Sequence, residues 1–327
     1  MLRLLDGENV RACAPTPAVV RAVEDAFAAA DRGEVVMPPK SYVDLERYDG
    51  DFRAMPAYVD GGTWDAAGLK WVNSHPYNPD RFDLPTVMGV MIYSDPETAR
   101  PLSILDGGEL TRLRTGAAAA VATDHLAVSD ARSLGLVGAG AQSYAQLEAI
   151  ATVRPVEEVV VADADPEAAE AFVEATRDRF DVRVGTIAEA AACDVLSTTT
   201  PVEEPIVSRE AVGDHTHVNA MGADAAGKQE LADAVLEDAL IVIDDYDQCV
   251  HSGEINVPWA AGVLGEEDIH AELGAVVTGS TRGRTAETGI TVFDSTGLAI
   301  QDVATAHVVY EAAVEDEVGV EFDLLGL

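Results

Sequence analysis

The sequence predicts an α/β protein in which a doubly wound parallel sheet follows an N-terminal region of mixed helix and strand. From Ser133 onwards, short apolar runs alternate with segments of helical apolar spacing, and this alternation is typical of βαβ units. Before Ser133, apolar runs follow one another closely and are separated by Pro, Gly and Asp, which favours antiparallel strands joined by turns.

The N-terminal region begins with a predicted helix over residues 15–31, where helical apolar spacing follows a proline. Short predicted strands come next, and together they indicate a mostly antiparallel sheet. These strands are "MPPKSYVDL", "FRAMPAYVD", "AAGLKWVNSHP", "TVMGVMIYSD" and "PLSILDGG". A long helix of small residues, "ELTRLRTGAAAAVATDHLA", is predicted to follow them.

The second region opens with the strand and glycine turn of "SLGLVGAGAQ" and the helix "SYAQLEAIATV". Predicted strands and helices then alternate as "EEVVVADAD", "PEAAEAFVEATRDRF", "DVRVG", "TIAEAAA" and "DVLSTTTP". Further strands are predicted at "THVNAMG" and "ALIVIDD". The last predicted helix covers "FDSTGLAIQDVATAHVVYEAAVEDE", and we expect it to pack back on the N-terminal region.

Composition limits the class of protein. The chain of 327 residues is 48% hydrophobic, which suggests about two domains with sizeable cores. Its formal net charge of −37 is spread along the chain and would repel nucleic acid and anionic membranes, so neither partner is expected. Dispersed acid with arginine kept and lysine nearly lost favours a halophilic enzyme, since roughly 1 M salt screens charges beyond about 3 Å. An ordinary acidic protein is the alternative.

The N-terminus and the cysteines favour a cytoplasmic location. The first residues, "MLRLLDGENV", contain no long apolar run, and no uncharged apolar stretch reaches about 18 residues, so neither a signal peptide nor a membrane span is expected. Cys13, Cys193 and Cys249 are odd in number and far apart. They therefore predict no disulfide framework and suit a reducing compartment.

A glycine motif predicts a dinucleotide site of Rossmann type. "LGLVGAGAQS" places Gly138, Gly140 and Ser143 in the order G-x-G-x-x-S between a predicted strand and a predicted helix. Gly138 permits the tight turn, and Gly140 lets the backbone approach a pyrophosphate at the helix N-terminus. Asp163 ends the next strand, where a carboxylate binds a ribose 2′-OH and repels a 2′-phosphate, which favours NAD over NADP. A glycine turn without a ligand is the alternative.

Two later strand ends supply further candidates at the edge where ligands bind in such sheets. Thr198 and Thr199 lie in "LSTTTP" and could contact the cofactor, with ordinary loop threonines as the alternative. Asp224 follows "VNAMGA", where a carboxylate could hold a substrate amine or take its proton. Because the chain contains 58 acidic residues, position alone does not single out Asp224.

Lys70 lies inside the apolar segment "AAGLKWVN". A buried lysine is costly unless it is paired or its pKa is shifted, and a desolvated lysine can move protons near neutral pH. We therefore expect Lys70 to act in catalysis or to hold a substrate carboxylate. Lys40 in "PPKS" and Lys228 in "ADAAGKQEL" complete the three lysines of the chain, and survival by chance on the surface is the alternative.

Two arginines are candidates for binding anions. Arg114, in "TRLRTG", lies at the junction of the two regions, where it could clamp a carboxylate bidentately or face cofactor phosphates. Arg53, in "DFRAMP", is the second candidate. A surface arginine is the alternative for each. The histidines predict no metal site, because His215 and His217 have no third ligand at a known spacing.

Along nearly the whole chain these motifs resemble the family of ornithine cyclodeaminase and mu-crystallin, which includes an archaeal type of alanine dehydrogenase. The resemblance rests on "MPAY", "GLKWVN", "LRTGAAAAVA", "GLVGAGAQ", "VNAMGADAAGKQEL" and "FDSTGLAIQD", in the family's order. It implies a Rossmann-type NAD-binding domain over 116–299. This domain would be inserted in an α+β substrate and dimerisation domain formed by 1–115 plus 300–327.

The resemblance also implies roles for individual residues. Lys70 would lie near the substrate carboxylate, Arg114 between substrate and cofactor, and Asp224 would be the catalytic acid and base. Further substrate contacts are implied for Lys228 and Thr296. Cofactor contacts are implied for Thr86, Ala141, Gln142, Asp163, Met221, Gly222, Ala223 and Ser295.

The chain departs from the cyclodeaminase pattern at one position. It has Arg53 where those enzymes place an acid to meet the distal amine of ornithine, and arginine would repel that amine. Lys40 stands where many relatives have arginine. The pair resembles the alanine dehydrogenase branch and favours a small substrate held by Lys40, Arg53, Lys70 and Arg114.

The expected activity is that of an NAD-dependent amino-acid dehydrogenase, acting in a cytoplasmic homodimer. It would convert L-alanine, NAD and water to pyruvate, ammonia and NADH by hydride transfer through an imine. Three alternatives stay open. They are ornithine cyclodeaminase with catalytic NAD, a ketimine reductase, and a binding protein similar to mu-crystallin.

Overall fold

The computed structural model describes residues 1–326, and they form two compact units. The N-terminal unit comprises Met1–Arg114 together with the segment from Leu298 onwards. The second unit comprises Thr115–Gly297. Among the helices of residues 1–326, none combines the length and the apolar character that a bilayer crossing requires.

The strands and helices are numbered in chain order. The strands are β1 (Leu2–Leu5), β2 (Val35–Val36), β3 (Ser41–Leu45), β4 (Gly50–Asp60), β5 (Asp65–Ser74), β6 (Val87–Ser94), β7 (Pro101–Asp106), β8 (Ser133–Val137), β9 (Glu158–Ala162), β10 (Asp181–Val184), β11 (Val195–Thr198), β12 (His217–Ala220), β13 (Leu240–Ile243), β14 (Ile269–Glu272), β15 (Thr291–Asp294) and β16 (Val320–Phe322).

The helices are α1 (Gly7–Ala12), α2 (Thr16–Asp31), α3 (Asn78–Phe82), α4 (Gly107–Leu126), α5 (Ala141–Ile150), α6 (Pro166–Thr176), α7 (Ile187–Ala191), α8 (Asp233–Glu237), α9 (Tyr246–Ser252), α10 (Asn256–Ala261), α11 (Leu273–Thr278) and α12 (Ala299–Glu315).

The sheet of the N-terminal unit is mostly antiparallel, as the sequence predicts. Its strands follow the order β16-β1-β7-β6-β5-β4-β2, with β3 also paired to β4, and β1 runs parallel to β7. The strand predicted over "MPPKSYVDL" forms only in the second half of that segment, as β3, and Pro38, Pro39 and Lys40 lie outside strands. Proline cannot donate to a strand ladder. Strand β1 and the edge strand β16, which pairs with it, were not predicted.

Helices α2 and α12 pack on each other and on β4, and α12 also packs on β5 and β6. The covered face of β4 carries Met55, Ala57 and Val59, all buried, at the two-residue spacing of a strand that is buried on one side. The expected return of the last helix is therefore confirmed. Its predicted start was wrong, since "FD" belongs to β15, a fully buried strand between β12 and β13, and α12 begins at Ala299.

The sheet of the second unit has the order β10-β9-β8-β11-β12-β15-β13-β14, and all its strands are parallel. The direction of winding reverses between β8 and β11, which makes this a doubly wound sheet of Rossmann type. The predicted fold class is thus confirmed. Ligands bind such sheets at the carboxyl ends of the strands beside the reversal, which here are the ends of β8 and β11.

Candidate active site

The glycine turn after β8 has the geometry that the motif predicts. Gly138 adopts φ +100, and a Cβ there would lie 2.8 Å from Thr199 Oγ1, so both backbone and space require glycine. Ser143, which replaces the third glycine of the motif, donates its hydroxyl to the Gly138 carbonyl oxygen. Its Oγ also lies 3.1 Å from Thr199 Oγ1. The serine therefore ties the turn to the end of the neighbouring strand β11.

The turn leads into helix α5 with open space at its N-terminus. Gly140 is the N-cap residue and offers no side chain to the first-turn N–H groups, and a Cβ at Gly140 would meet no atom within 4 Å. Ala141 is exposed and Gln142 half-buried. Exposed N–H groups at a helix start bind phosphate, and the space above Gly140 lets a pyrophosphate approach. The turn therefore fits a dinucleotide.

Asp163 lies just beyond the end of β9 and is bonded to the glycine turn itself. Its Oδ2 accepts a hydrogen bond from the Ala139 N–H at 2.6 Å. Its Oδ1 accepts one from the Asp165 N–H at 2.7 Å. Each carboxylate oxygen can accept more than one hydrogen bond, so Asp163 can support the turn and still receive a ribose hydroxyl.

A buried carboxylate that the sequence did not single out, Glu230, joins the ends of β11 and β12. It accepts hydrogen bonds from Thr198 Oγ1 at 2.6 Å, from the Thr200 N–H and Oγ1 at 2.7 Å each, and from the Gly222 N–H at 2.9 Å. A Cβ at Gly222 would lie 2.5 Å from this carboxylate. The hydroxyl of Thr198, a candidate cofactor contact, is therefore directed at Glu230.

Three more buried carboxylates continue this arrangement. Glu254 accepts from the N–H groups of Glu230 and Leu231, and Asp294 accepts from those of Glu254 and its neighbour. Asp244 accepts from the Gly297 N–H. Burial raises the pKa of the Asp294 carboxyl to about 7 and raises that of Glu254 well above its ordinary value. Together these acids fix the loops that follow the strands.

The remaining residues predicted in the second unit lie in those loops. Asp224 Oδ1 accepts a hydrogen bond from Lys228 Nζ at 2.7 Å, and both side chains are partly exposed. Ser295 donates its hydroxyl to Asp244 Oδ2 at 2.8 Å, and Thr296 is buried. Met221 is half-buried just beyond the end of β12, and Ala223 is buried. The structure thus brings the predicted acid and the predicted lysine together.

Lys70 lies in the middle of β5, in the N-terminal unit, and its side chain is 1% exposed. Its neighbours across the sheet are Met55 and Met91. Its Nζ donates to Asp302 Oδ1 at 2.8 Å and to Thr111 Oγ1 at 3.1 Å. Burial lowers the pKa of Lys70 to about 7, although Asp302 acts to raise it. A lysine whose pKa lies near neutrality can transfer protons, and it can bind an anion while it is protonated.

Arg114 lies in the part of helix α4 that belongs to the same unit and converges with Lys70 on the same carboxylate. Its Nε is 3.3 Å from Asp302 Oδ1, and its Nη1 donates to Gln301 Oε1 at 3.1 Å. Asp302 and Gln301 follow each other at the start of α12 and are both fully buried. Neither was predicted as a site residue, although both lie in the quoted motif "FDSTGLAIQD".

The two other predicted cations of this unit lie close to Lys70. Arg53 lies on the same face of the sheet as Lys70, because it is two residues from Met55, which pairs opposite Lys70. Its guanidinium forms a bidentate pair with Asp51, with Nη2 2.9 Å from Oδ2. The charge of Lys40 contributes to lowering the pKa of Lys70.

Thr86 makes a backbone hydrogen bond, and His217 lies in the core. The carbonyl oxygen of Thr86, just before β6, accepts from the His75 N–H at 2.8 Å. His217 is buried between Thr291 and Asn219, and burial lowers its pKa to about 3, which makes it a neutral core residue. Across residues 1–326, no three His, Cys, Asp or Glu side chains are grouped so that they could hold a metal ion.

The chain is similar to proteins of known type. The model of the ornithine cyclodeaminase/mu-crystallin family matches residues 5–317. The chain is 48% identical over 317 residues to an alanine dehydrogenase of Archaeoglobus fulgidus, and the match covers 97% of this chain and 96% of that relative.

Two solved structures also match. An archaeal alanine dehydrogenase dimer with bound NAD has a TM-score of 0.94 and 47% identity, with 99% of each chain covered. Delta(1)-pyrroline-2-carboxylate reductase from Thermococcus litoralis, in complex with NADH and L-proline, has a TM-score of 0.94 and 32% identity, with 98% of this chain and 100% of that chain covered. The chain therefore belongs to the ornithine cyclodeaminase/mu-crystallin family.

Proposed function

We propose that this protein is an NAD-dependent alanine dehydrogenase, which interconverts L-alanine, NAD and water with pyruvate, ammonia and NADH. The observation that carries the proposal is the buried pair of cations Lys70 and Arg114, both in contact with Asp302. Two cations against one carboxylate leave a positive charge that suits a substrate carboxylate. The identity of 48% to an alanine dehydrogenase supports the choice of amino acid.

In this proposal the turn at Gly138 and Gly140 and the start of α5 at Ala141 and Gln142 hold the pyrophosphate of NAD. Asp163 accepts the ribose hydroxyls. NAD supplies the redox chemistry when it is bound, by exchanging a hydride with the substrate Cα. The loops fixed by the buried carboxylates, with Met221 to Ala223 and Ser295, complete the cofactor site.

The residues of the chain then bind the substrate and move its protons. Lys70 and Arg114, helped by Lys40, bind the carboxylate of alanine or pyruvate. Oxidation at Cα gives the substrate imine, and water adds to it before ammonia leaves. Asp224, held by Lys228, accepts the proton from that water and returns it to the leaving amine. The product 2-oxo acid stays on the same cations until it is released.

A second candidate is the reduction of a cyclic imine, which the similarity to Delta(1)-pyrroline-2-carboxylate reductase favours. Such a substrate shares the carboxylate and the C=N bond with the alanine reaction, so the same cations would bind it. Ornithine cyclodeamination is less well supported, because Arg53 stands on the face of the sheet that carries Lys70, and its bidentate pair with Asp51 occupies the acid nearest to it that could meet a distal amine.

The absorbance of NADH separates these candidates. The protein, in concentrated KCl, is mixed with NADH, pyruvate and ammonium, and in parallel with NADH and the cyclic imine. We expect fast oxidation of NADH with pyruvate and ammonium, and none when ammonium is left out. Oxidation by the cyclic imine alone would establish the reductase instead. Proline formed from ornithine with catalytic NAD would establish the cyclodeaminase.

We further propose a cytoplasmic homodimer adapted to concentrated salt. A related enzyme has been solved as a dimer, the cysteines Cys13, Cys193 and Cys249 are free and buried, and the net charge is −37. Light scattering in concentrated KCl is expected to give twice the chain mass. The melting temperature is expected to rise with KCl, because salt screens the repulsion between carboxylates. A melting temperature independent of salt would exclude this adaptation.

A further inference from the structure

Helix α12 places one carboxylate between two buried cations. Asp302 Oδ1 lies 2.8 Å from Lys70 Nζ and 3.3 Å from Arg114 Nε. The side chain of Asp302 is 0% exposed, and those of Lys70 and Arg114 are 1% and 9% exposed. The carboxylate of Asp302 favours the charge of Lys70, while the charges of Arg114 and Lys40 oppose it.

The hydrogen bonds of this cluster leave donors for a ligand. An ammonium has three N–H donors, and Lys70 uses two of them on Asp302 and Thr111. The hydroxyl of Thr111 donates to the Gly107 carbonyl oxygen, so its lone pairs face Lys70. On Arg114, Nη1 is held by Gln301. Within residues 1–326 the third donor of Lys70 and the Nη2 of Arg114 make no hydrogen bond.

We propose that Asp302 is the positioning residue of the substrate site, which favours the protonated form of Lys70 and directs the remaining donors of Lys70 and Arg114 towards the substrate carboxylate. This inference rests on the proposed dehydrogenase function for the identity of the substrate. The charge of Lys70 is a property of the N-terminal unit alone, and it can be measured without turnover.

The physical reason is the cost of a buried ammonium. In an apolar wall between methionines, and beside Arg114 and Lys40, Lys70 would lose its proton at neutral pH and with it its attraction for an anion. A carboxylate at 2.8 Å favours the protonated form. Asp302 touches neither cofactor nor reacting atoms in this proposal, and it acts through Lys70 and Arg114.

The low lysine content makes a direct test possible. The chain contains only Lys40, Lys70 and Lys228, so protein labelled with carbon-13 at the lysine ε-carbon gives three NMR signals to titrate. The Lys70 signal is assigned with Lys70→Met. In Asp302→Asn the pKa of Lys70 is expected to fall by about one to three pH units, and the Lys228 signal, from the other unit, serves as the internal control.

Kinetics and a conservative variant complete the test. At neutral pH, Asp302→Asn is expected to raise the KM for pyruvate at least about tenfold, the loss of one charge-assisted contact, with NADH affinity unchanged. Asp302→Glu, which keeps the charge, is expected to retain a Lys70 titration near that of the wild type. Should Asp302→Asn fail to fold, Asp302→Ser serves as the second uncharged variant.

The outcomes separate the two proposals. A Lys70 titration that is the same in wild type and in the uncharged variant would overturn the role of Asp302. An equal rise in the KM for pyruvate and the dissociation constant of NADH would also overturn it, since that pattern indicates general disruption. A wild-type protein that does not reduce pyruvate would overturn the proposed function, while the titration would still decide whether Asp302 sets the charge of Lys70.

Discussion

Lys70 and Asp302 are 232 residues apart in the chain, yet the ammonium of one lies 2.8 Å from the carboxylate of the other. Both side chains are buried, and strand β5 and helix α12 bring them together. Removing one partner of a buried ion pair leaves an uncompensated charge, which is far more costly than losing an exposed pair. The consequences for stability and for ligand binding can be measured separately.

Lys70→Met is expected to lower the free energy of unfolding by about 3 kcal/mol, because Asp302 loses its closer cation. Denaturant unfolding in concentrated KCl measures this change. Lys228→Met serves as the stability control, since its pair with Asp224 is partly exposed and is worth about 1 kcal/mol or less. Equal losses in the two variants would contradict a buried, paired Lys70.

The binding of a pyruvate isostere is expected to depend on pH. Lys70 has a pKa near 7 because of burial, so its ammonium is complete below that pH and is lost above it. The inhibition constant of oxamate against the NADH complex should therefore stay flat below pH 7 and rise towards about tenfold per pH unit above it. Lys70→Met should bind oxamate weakly at every pH. A flat wild-type profile would remove Lys70 from the anion site.

Two neighbouring glycines are expected to respond differently to alanine. A Cβ at Gly140 meets no atom within 4 Å, so Gly140→Ala should change the stability of the cofactor-free protein by less than about 0.5 kcal/mol. It should weaken NADH binding at least about tenfold, because the Cβ occupies the space for the pyrophosphate. Fluorescence titration of NADH measures this binding, and unchanged affinity would mean that no pyrophosphate approaches Gly140.

Gly138→Ala is the matched comparison. Its φ of +100 and a Cβ 2.8 Å from Thr199 Oγ1 predict a loss of about 1–3 kcal/mol in stability without any cofactor present. Thermal unfolding of the two variants without NADH distinguishes them. Equal melting temperatures would contradict the described turn.

Asp163→Ala is expected to weaken NAD binding and to relax the rejection of NADP, because the carboxylate that receives the ribose hydroxyls and repels a 2′-phosphate is removed. The ratio of kcat/KM for NADP to that for NAD should rise at least about tenfold. Asp163→Asn is the control, since its amide oxygen can still accept from the Ala139 N–H and support the turn. An unchanged cofactor preference in both variants would mean that the ribose lies elsewhere.

Local sequence signals predicted much of the fold. The Rossmann-type sheet followed from alternating apolar runs and one glycine motif, and the antiparallel sheet from runs broken by Pro and Gly. The errors occurred where tertiary contacts determine the secondary structure of a segment. The start of the last helix was placed in β15, and the strand character of that segment comes from its pairing with β12 and β13.

Some residues of the candidate site could be predicted from the sequence and others could not, and the difference has a physical reason. Lys70 stands out because the chain contains three lysines, so one lysine in an apolar strand is conspicuous. Asp302 and Glu230 do not stand out among 58 acidic residues. Their burial depends on partners far away in the sequence, such as Lys70 for Asp302 and Thr198 for Glu230, and no local spacing reports such contacts.

The most direct test of the proposed reaction uses two isotope labels and follows both of them into the product. The protein is incubated in concentrated KCl with pyruvate, ammonium labelled with nitrogen-15 and NADH deuterated at the transferred position, and alanine is read by mass spectrometry. We predict L-alanine that carries nitrogen-15 and deuterium at Cα, and almost none with Lys70→Met at equal concentration. NADH consumed without doubly labelled alanine, or equal product from Lys70→Met, would contradict the assignment of the reaction or of Lys70.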